Sequence, residues 1–217
     1  AFERDLLSRP MKYGREFAVS ASQVKRSQID EPTYFFSGPE LRKIIKRSNP
    51  RMRAMILLGI NGGMGNRDVA LIRERHIDFD NGWINYPRRK TGQQRSFPLW
   101  PETADALREV LKSRPVAKDP ADFDCVFIGR NGTVLIREKG HDQIKRAFRQ
   151  LLDSCGAFPP GCGFYTLRRN FVTIGRQTGR SLCVKYIAGH RLADITDGYD
   201  CTLQNKNEVL DPEGLVE

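Results

Sequence analysis

The sequence is short of long apolar runs, of histidine and of paired metal-ligand motifs. No apolar stretch reaches the roughly 18 residues that a membrane-spanning helix needs, and the opening "AFERDLLSRP" has no signal-peptide hydrophobic region. The composition therefore points to a cytoplasmic protein with no membrane partner. Five cysteines, Cys125, Cys155, Cys162, Cys183 and Cys201, include no CxxC pair, and none of the three histidines stands at a zinc-finger distance from them. Buried, reduced thiols are the expectation, with no metal and no cofactor. Carboxylates are also in deficit: 26 Asp and Glu against 36 Lys and Arg leave a formal charge of +10 and a pI near 9.6. An excess of that size favours a polyanionic partner, either nucleic acid or an anionic surface.

What is present divides into three segments. Residues 1–33 are polar, basic and weakly periodic, and read as a linker or arm. Residues 34–201 carry the regular patterns, and 202–217 form a short polar tail. The domain begins at "SGPE", a capping box with Ser37 as N-cap, Glu40 three residues on and Pro39 in the first turn. Leu41, Ile44 and Ile45 then mark one helical face. "RMRAMILLGING" is a second, apolar helix ending at Gly62-Gly63, and "NRDVALIRER" a third. The period then changes to two. "GWINYP" and "RSFPL" read as short strands joined by the basic turn "RRKTGQQ", and "DCVFIG" as a third strand. Further helices are expected in "WPETADALREVLKSR", "DQIKRAFRQLLDSC", "FYTLRRNFVTIGRQTG" and "SLCVKYIAGH". The fold class is mainly α with a small antiparallel β-sheet (α+β).

Three places carry candidate chemistry. The hairpin turn holds Arg88, Arg89, Lys90 and Arg95, a natural set of phosphate contacts or simply a solvated charged turn. In "FYTLRRNF", Tyr165, Arg168 and Arg169 share a helical face by i, i+3 and i+4 spacing, with Leu167 and Phe171 toward the core. An arginine at such a helix start can grip a phosphate with two donors. In "GHRLADITDGYD", Tyr199 follows His190 by nine residues, pairing a potential nucleophile with a potential acid or base.

The order of these pieces, with "KTGQQRSFPL", "YTLRR" and the "AGH" to "GYD" spacing, resembles the catalytic domain of tyrosine recombinases, the phage integrase family, from Tyr34 to Tyr199. "WPETADALREVL" matches the helix that usually follows the hairpin. The resemblance implies the DNA breaking-rejoining fold, duplex DNA as partner and a nucleoid-associated location. Its activity is site-specific recombination: strands are cleaved and rejoined through a 3′-phosphotyrosine without metal. By residue, it implies Tyr199 as nucleophile, Arg168 as phosphate clamp, Lys90 as proton donor to the leaving 5′-oxygen and His190 as a phosphate or tyrosine partner. Arg88, Arg89, Arg95, Arg169 and Tyr165 would contact DNA. A monomer is expected without DNA and self-association on it. The family's separate N-terminal clamping domain has no room in residues 1–33, so the sequence is either cut or unusually short.

The sequence departs from the family pattern in two places, the first arginine and the second box. With Asp68 aligned to the family's acidic residue, Gly65 stands where the first arginine belongs. Arg67 is the candidate replacement, yet two residues along a helix is a rotation of about 200°, so it is expected to point away unless the glycines distort the turn. Tyr165 and Arg169 stand at the two histidine positions of the second box. The alternatives are a catalytically degenerate relative that binds DNA without cutting it, and a basic helical protein for RNA or an anionic surface.

Overall fold

The computed structural model describes residues 34–88, 90, 92–136 and 142–190, all within the unit formed by residues 34–217. Seven α-helices and three short strands are present among them: α1 (Gly38–Arg47), α2 (Pro50–Asn61), α3 (Asn66–Ala70), β1 (Ile77–Asp78), β2 (Trp83–Asn85), β3 (Ser96–Pro98), α4 (Pro101–Ser113), α5 (Gln143–Cys155), α6 (Phe164–Gln177) and α7 (Ser181–Ile187).

Helix α2 is the axis of the domain. Its sequence is apolar on nearly every side, and a helix of that kind has to be surrounded. Met52, Ala54, Met55, Ile56, Leu57 and Leu58 are all buried, between α4 and α6. Gly59 lets α6 approach closely: a Cβ there would meet the Leu167 side chain at 3.1 Å. The helix starts where Asn49 accepts from the Met52 N–H at 2.9 Å, an N-cap that satisfies one of the otherwise orphaned first-turn donors. At its other end Asn61 donates to the Pro98 carbonyl (2.9 Å) and accepts from the Trp100 N–H (3.1 Å). That one buried amide ties α2 to the exit of β3. Helix α1 begins as its sequence indicates, with the Glu40 carboxylate accepting from both the N–H and the hydroxyl of Ser37 at 2.8 Å. It packs against α5, whose own N-cap, Asp142, accepts from Lys145 N–H.

The sheet has the order β1-β2-β3, antiparallel throughout, with Ile77 opposite Ile84 and Ile84 opposite Phe97. This corrects the assignment of the third strand. "DCVFIG" is not part of the sheet; it makes only isolated bridges, Arg73 with Cys125 and Ile128 with Val134, and its apolar residues are core filling. The sheet's third member is the two-residue strand Ile77–Asp78, too short to display a period of two. "NRDVALIRER" likewise divides into the short α3 and a 3₁₀ turn at Glu74–His76. Cys125, Cys155, Cys162 and Cys183 are buried; Cys201 lies outside the described residues. No helix among the described residues is long and apolar enough to cross a membrane.

Candidate DNA interface and catalytic cleft

Two turns form the centre of the site, one after α2 and one after α7. At the end of α7, Gly189 adopts φ +64°, the left-handed conformation that glycine takes without the Cβ penalty. The Gly189 N–H donates to Tyr186 O at 2.8 Å and the His190 N–H to Lys185 O at 2.9 Å. These are the paired bonds of a Schellman ending, and they fix the backbone of His190. The requirement for "GH" is thereby physical: the glycine turns the chain so that the next residue is held at the helix terminus.

The turn after α2 is built differently. Gly62 and Gly63 leave room for two aromatic rings: a Cβ at Gly62 would lie 2.2 Å from Phe97, and one at Gly63, where φ is +57°, 2.5 Å from Phe171. Gly65 is the N-cap of α3, with φ −86° and ψ 173°, extended angles open to any residue.

Arg168 joins the two turns. Its side chain is 2% exposed, and its guanidinium donates to Gly63 O at 2.6 Å and to Ala188 O at 2.7 Å. Burial and the nearby Arg88 lower its pKa, but an arginine remains charged at any ordinary pH. The sequence reading placed Arg168 on a face shared with Tyr165 and Arg169. In the fold Arg168 turns inward, while Tyr165 and Arg169 are exposed, the guanidinium of Arg169 lying 5.9 Å from the Tyr165 ring centre.

His190 is half-buried. Loss of water lowers its pKa, and so do the positive charges of Arg168, Arg88, Arg176 and Lys185. The imidazole is therefore held neutral to lower pH than an ordinary histidine, and a neutral imidazole can accept a proton.

Arg95 requires a correction. Expected at a DNA-facing turn, it is 1% exposed and pairs with Asp68 at 2.9 Å, its Nε donating to Tyr86 O at 3.1 Å. Burial lowers its pKa and Asp68 opposes that shift. A charge so enclosed is structural: it locks the hairpin to α3. Arg88 is half-buried and donates to Gly189 O at 2.9 Å. Lys90 is exposed at the tip. Arg89 lies outside the described residues, and so does Tyr199.

A cleft of about 490 Å³ opens beside these turns, lined by Gly65, Arg67, Asp68, Arg88, Lys90 and Tyr165. Arg67 thus shares the cavity with Gly65, contrary to the rotation argument, because Gly65 stands outside the helix as its cap. A second cleft of about 520 Å³ is lined by Lys145, Arg149, Arg169 and Tyr165 among others. Lys145 and Arg149 were not read as site residues, although their i, i+4 spacing on the polar face of α5 was a usable signal. Among the described residues no group of three or more His, Cys, Asp or Glu is placed to hold a metal ion.

Comparison with known proteins places this geometry in context. The model of the phage integrase family matches residues 35–204. No curated protein sequence matches the chain. Among solved structures, the chain is similar to the Tn1549 transposon integrase in complex with a circular intermediate DNA, at 17% identity and TM-score 0.66, covering 84% of this chain and 66% of that one. It is similar to XerA recombinase at 20% identity and TM-score 0.63, covering 84% and 67%. It is also similar to the integrase from mycobacterium phage Brujita at 18% identity and TM-score 0.57, covering 86% and 63%. The chain thus spans about two thirds of the length of these structures.

Proposed function

Because the chain belongs to the phage integrase family, we propose that it is the catalytic domain of a site-specific DNA recombinase, cleaving and rejoining duplex DNA through a 3′-phosphotyrosine. The observation that carries this reading is the joining of the His190 turn and the Gly63 turn by one buried guanidinium, beside a cleft with Arg67, Arg88 and Lys90 in its wall. Solved relatives bound to transposon-end and difH DNA support the choice of duplex DNA as partner.

The chemistry follows from the groups. The Tyr199 hydroxyl oxygen attacks phosphorus; the bond from oxygen to phosphorus forms as the bond to the 5′-oxygen breaks. The tyrosine's proton passes to His190, which the surrounding cations keep neutral. Lys90 supplies a proton to the departing 5′-oxygen. Arg168 opposes the charge that accumulates on the phosphate oxygens. The covalent intermediate conserves the phosphodiester energy, so rejoining needs no external energy source. Lys145, Arg149 and Arg169 extend the positive surface along the flanking backbone. The protein is a monomer free in the cytoplasm and self-associates on DNA at the nucleoid.

The deciding experiment uses a suicide duplex that traps the phosphotyrosine. The wild-type chain forms a covalent adduct, and Tyr199→Phe abolishes it while duplex affinity is nearly unchanged. An adduct that persists in Tyr199→Phe overturns the assignment of the nucleophile. Log K for duplex binding falls with log salt by about 0.9 per phosphate neutralised; binding indifferent to salt removes DNA as the partner.

A further inference from the structure

We infer that Arg88 is a positioning residue for His190, clamping the turn that presents the imidazole to the hairpin that carries Lys90. The Schellman bonds fix the N–H groups of Gly189 and His190, and two guanidiniums reach the carbonyls of the same turn. Arg168 takes the first at 2.7 Å and Arg88 the second at 2.9 Å. Two guanidiniums thus hold consecutive carbonyls immediately before His190. Charge-assisted hydrogen bonds to buried carbonyls are among the stronger ones, so these contacts define the turn's position and are not incidental to it.

The contact is also steric. A Cβ on Gly189 would lie 2.8 Å from Arg88 Cδ and 2.9 Å from its Cβ, so the arginine stem lies directly over the glycine. On the hairpin, the Arg88 N–H donates to Gln93 O and its carbonyl accepts from the Gly92 N–H, each at 2.8 Å. Among the described residues Arg88 is therefore the last one paired before the tip, and Lys90 follows two positions later. One side chain sets both the origin of the lysine-bearing tip and the place of the imidazole. A hairpin arginine that served only to touch phosphate would extend into solvent, as Lys90 does. Arg88 is half-buried and spends a donor on protein.

The cations facing His190 come from three elements besides its own turn: Arg88 on the hairpin, Arg168 and Arg176 on α6, and Lys185 on α7. Removing Arg88 therefore alters both the position and the titration of the imidazole.

The inference rests on the recombinase reading for its catalytic arm alone. In the free protein, the His190 imidazole is titrated by NMR and assigned against a His190→Gln variant. Arg88→Met keeps the aliphatic stem and removes charge and donor; the His190 midpoint moves upward and the Gly189 carbonyl resonance shifts. Arg88→Lys, which keeps a charge and a donor, restores most of the wild-type titration. Should Arg88→Met not fold, Arg88→Gln removes the charge and is read in the same way. On the suicide duplex, Arg88→Met slows adduct formation by about ten- to a hundredfold, the scale of a misplaced catalytic group, while duplex affinity falls by much less, as for one cation of the cleft wall. A His190 titration and Gly189 resonance that stay at their wild-type values overturn the inference. So does a loss of duplex affinity as large as the loss of cleavage, which would make Arg88 a phosphate contact. Absence of any wild-type adduct counts against the recombinase reading instead and leaves the NMR result decisive for the clamp.

Discussion

The turn at Ala188–His190 and the turn at Gly62–Gly65 sit at the two ends of one guanidinium, yet they present different residues: an imidazole at the first and a glycine at the second. Arg168 donates to both, at Ala188 O and at Gly63 O. After α7 the carbonyls of Ala188 and Gly189 each receive a guanidinium donor, and the next residue is His190. After α2 the turn is anchored too, with Phe97 and Phe171 packed over its glycines, but the residue that closes it is Gly65, and the cation of the cleft wall nearest to it in sequence is Arg67 of α3. The difference teaches that the scaffold of the site and its chemistry are separable. Both turns are held by the same guanidinium, whatever residue each presents to the cleft.

The most drastic way to break this comparison is to remove its common element. Arg168→Met leaves two buried carbonyls without donors, each costing about 1–3 kcal/mol. Stability measured by urea denaturation should fall accordingly, and cleavage should become undetectable. A variant of wild-type stability would mean that the two turns do not depend on the guanidinium.

Gly65→Arg sharpens the comparison by supplying what the second turn lacks. The extended angles at Gly65 accept a side chain, and a Cβ there meets only the Tyr165 ring at an ordinary 3.7 Å. Adduct formation should rise by on the order of 10²-fold, the value of one oxyanion donor, with stability unchanged. The same assay on Arg67→Ala shows what the native chain uses in its place. A loss of similar size makes Arg67, in the wall of the same cleft, the substitute clamp.

Gly189→Ala attacks the first turn instead. The positive φ costs a β-carbon about 1–2 kcal/mol, and the new methyl displaces the stem of Arg88. A smaller stability loss than for Arg168→Met is expected in the same denaturation measurement, together with a raised His190 titration midpoint.

The mildest test is pH. The folded state holds His190 neutral, and the unfolded chain binds a proton more readily. Stability from this group is therefore present above the ordinary histidine pKa, and falls as pH drops through that value toward the depressed folded one. Cleavage should follow the neutral fraction, with its acid limb displaced below the ordinary imidazole value. His190→Gln should remove that limb from the stability curve.

Much of the scaffold was legible because its signals are local. The Ser37–Glu40 cap, the all-round apolar α2 and the glycine before His190 each depend on a few neighbouring residues. Three of the four misreadings share one cause, distance along the chain. Arg95 looked like a surface charge because nothing near it in sequence is acidic; its partner Asp68 comes from another element. Arg168 looked amphipathic because its spacing matched Tyr165, while the carbonyls that draw it inward belong to Gly63 and Ala188. "DCVFIG" had the composition of a strand, but β2 pairs with Ile77–Asp78 instead, and the segment bridges Arg73 and Val134 outside the sheet. At Gly65 the helical rotation argument failed because α3 begins one residue later.

The bonds that hold the two turns also impose an order of assembly. Arg168 and Gly63 are 105 residues apart in sequence, and Arg88 and Gly189 101 apart, whereas Arg168 and Ala188 are separated by only 20. Closing the longer loops is slow and late in folding. During synthesis, helices α1 to α5 can form and pack while the cleft remains unmade, because Arg168 and the carbonyls it joins have not all left the ribosome. A nascent chain thus lacks the finished cleft until α6 and α7 have emerged to complete the two turns.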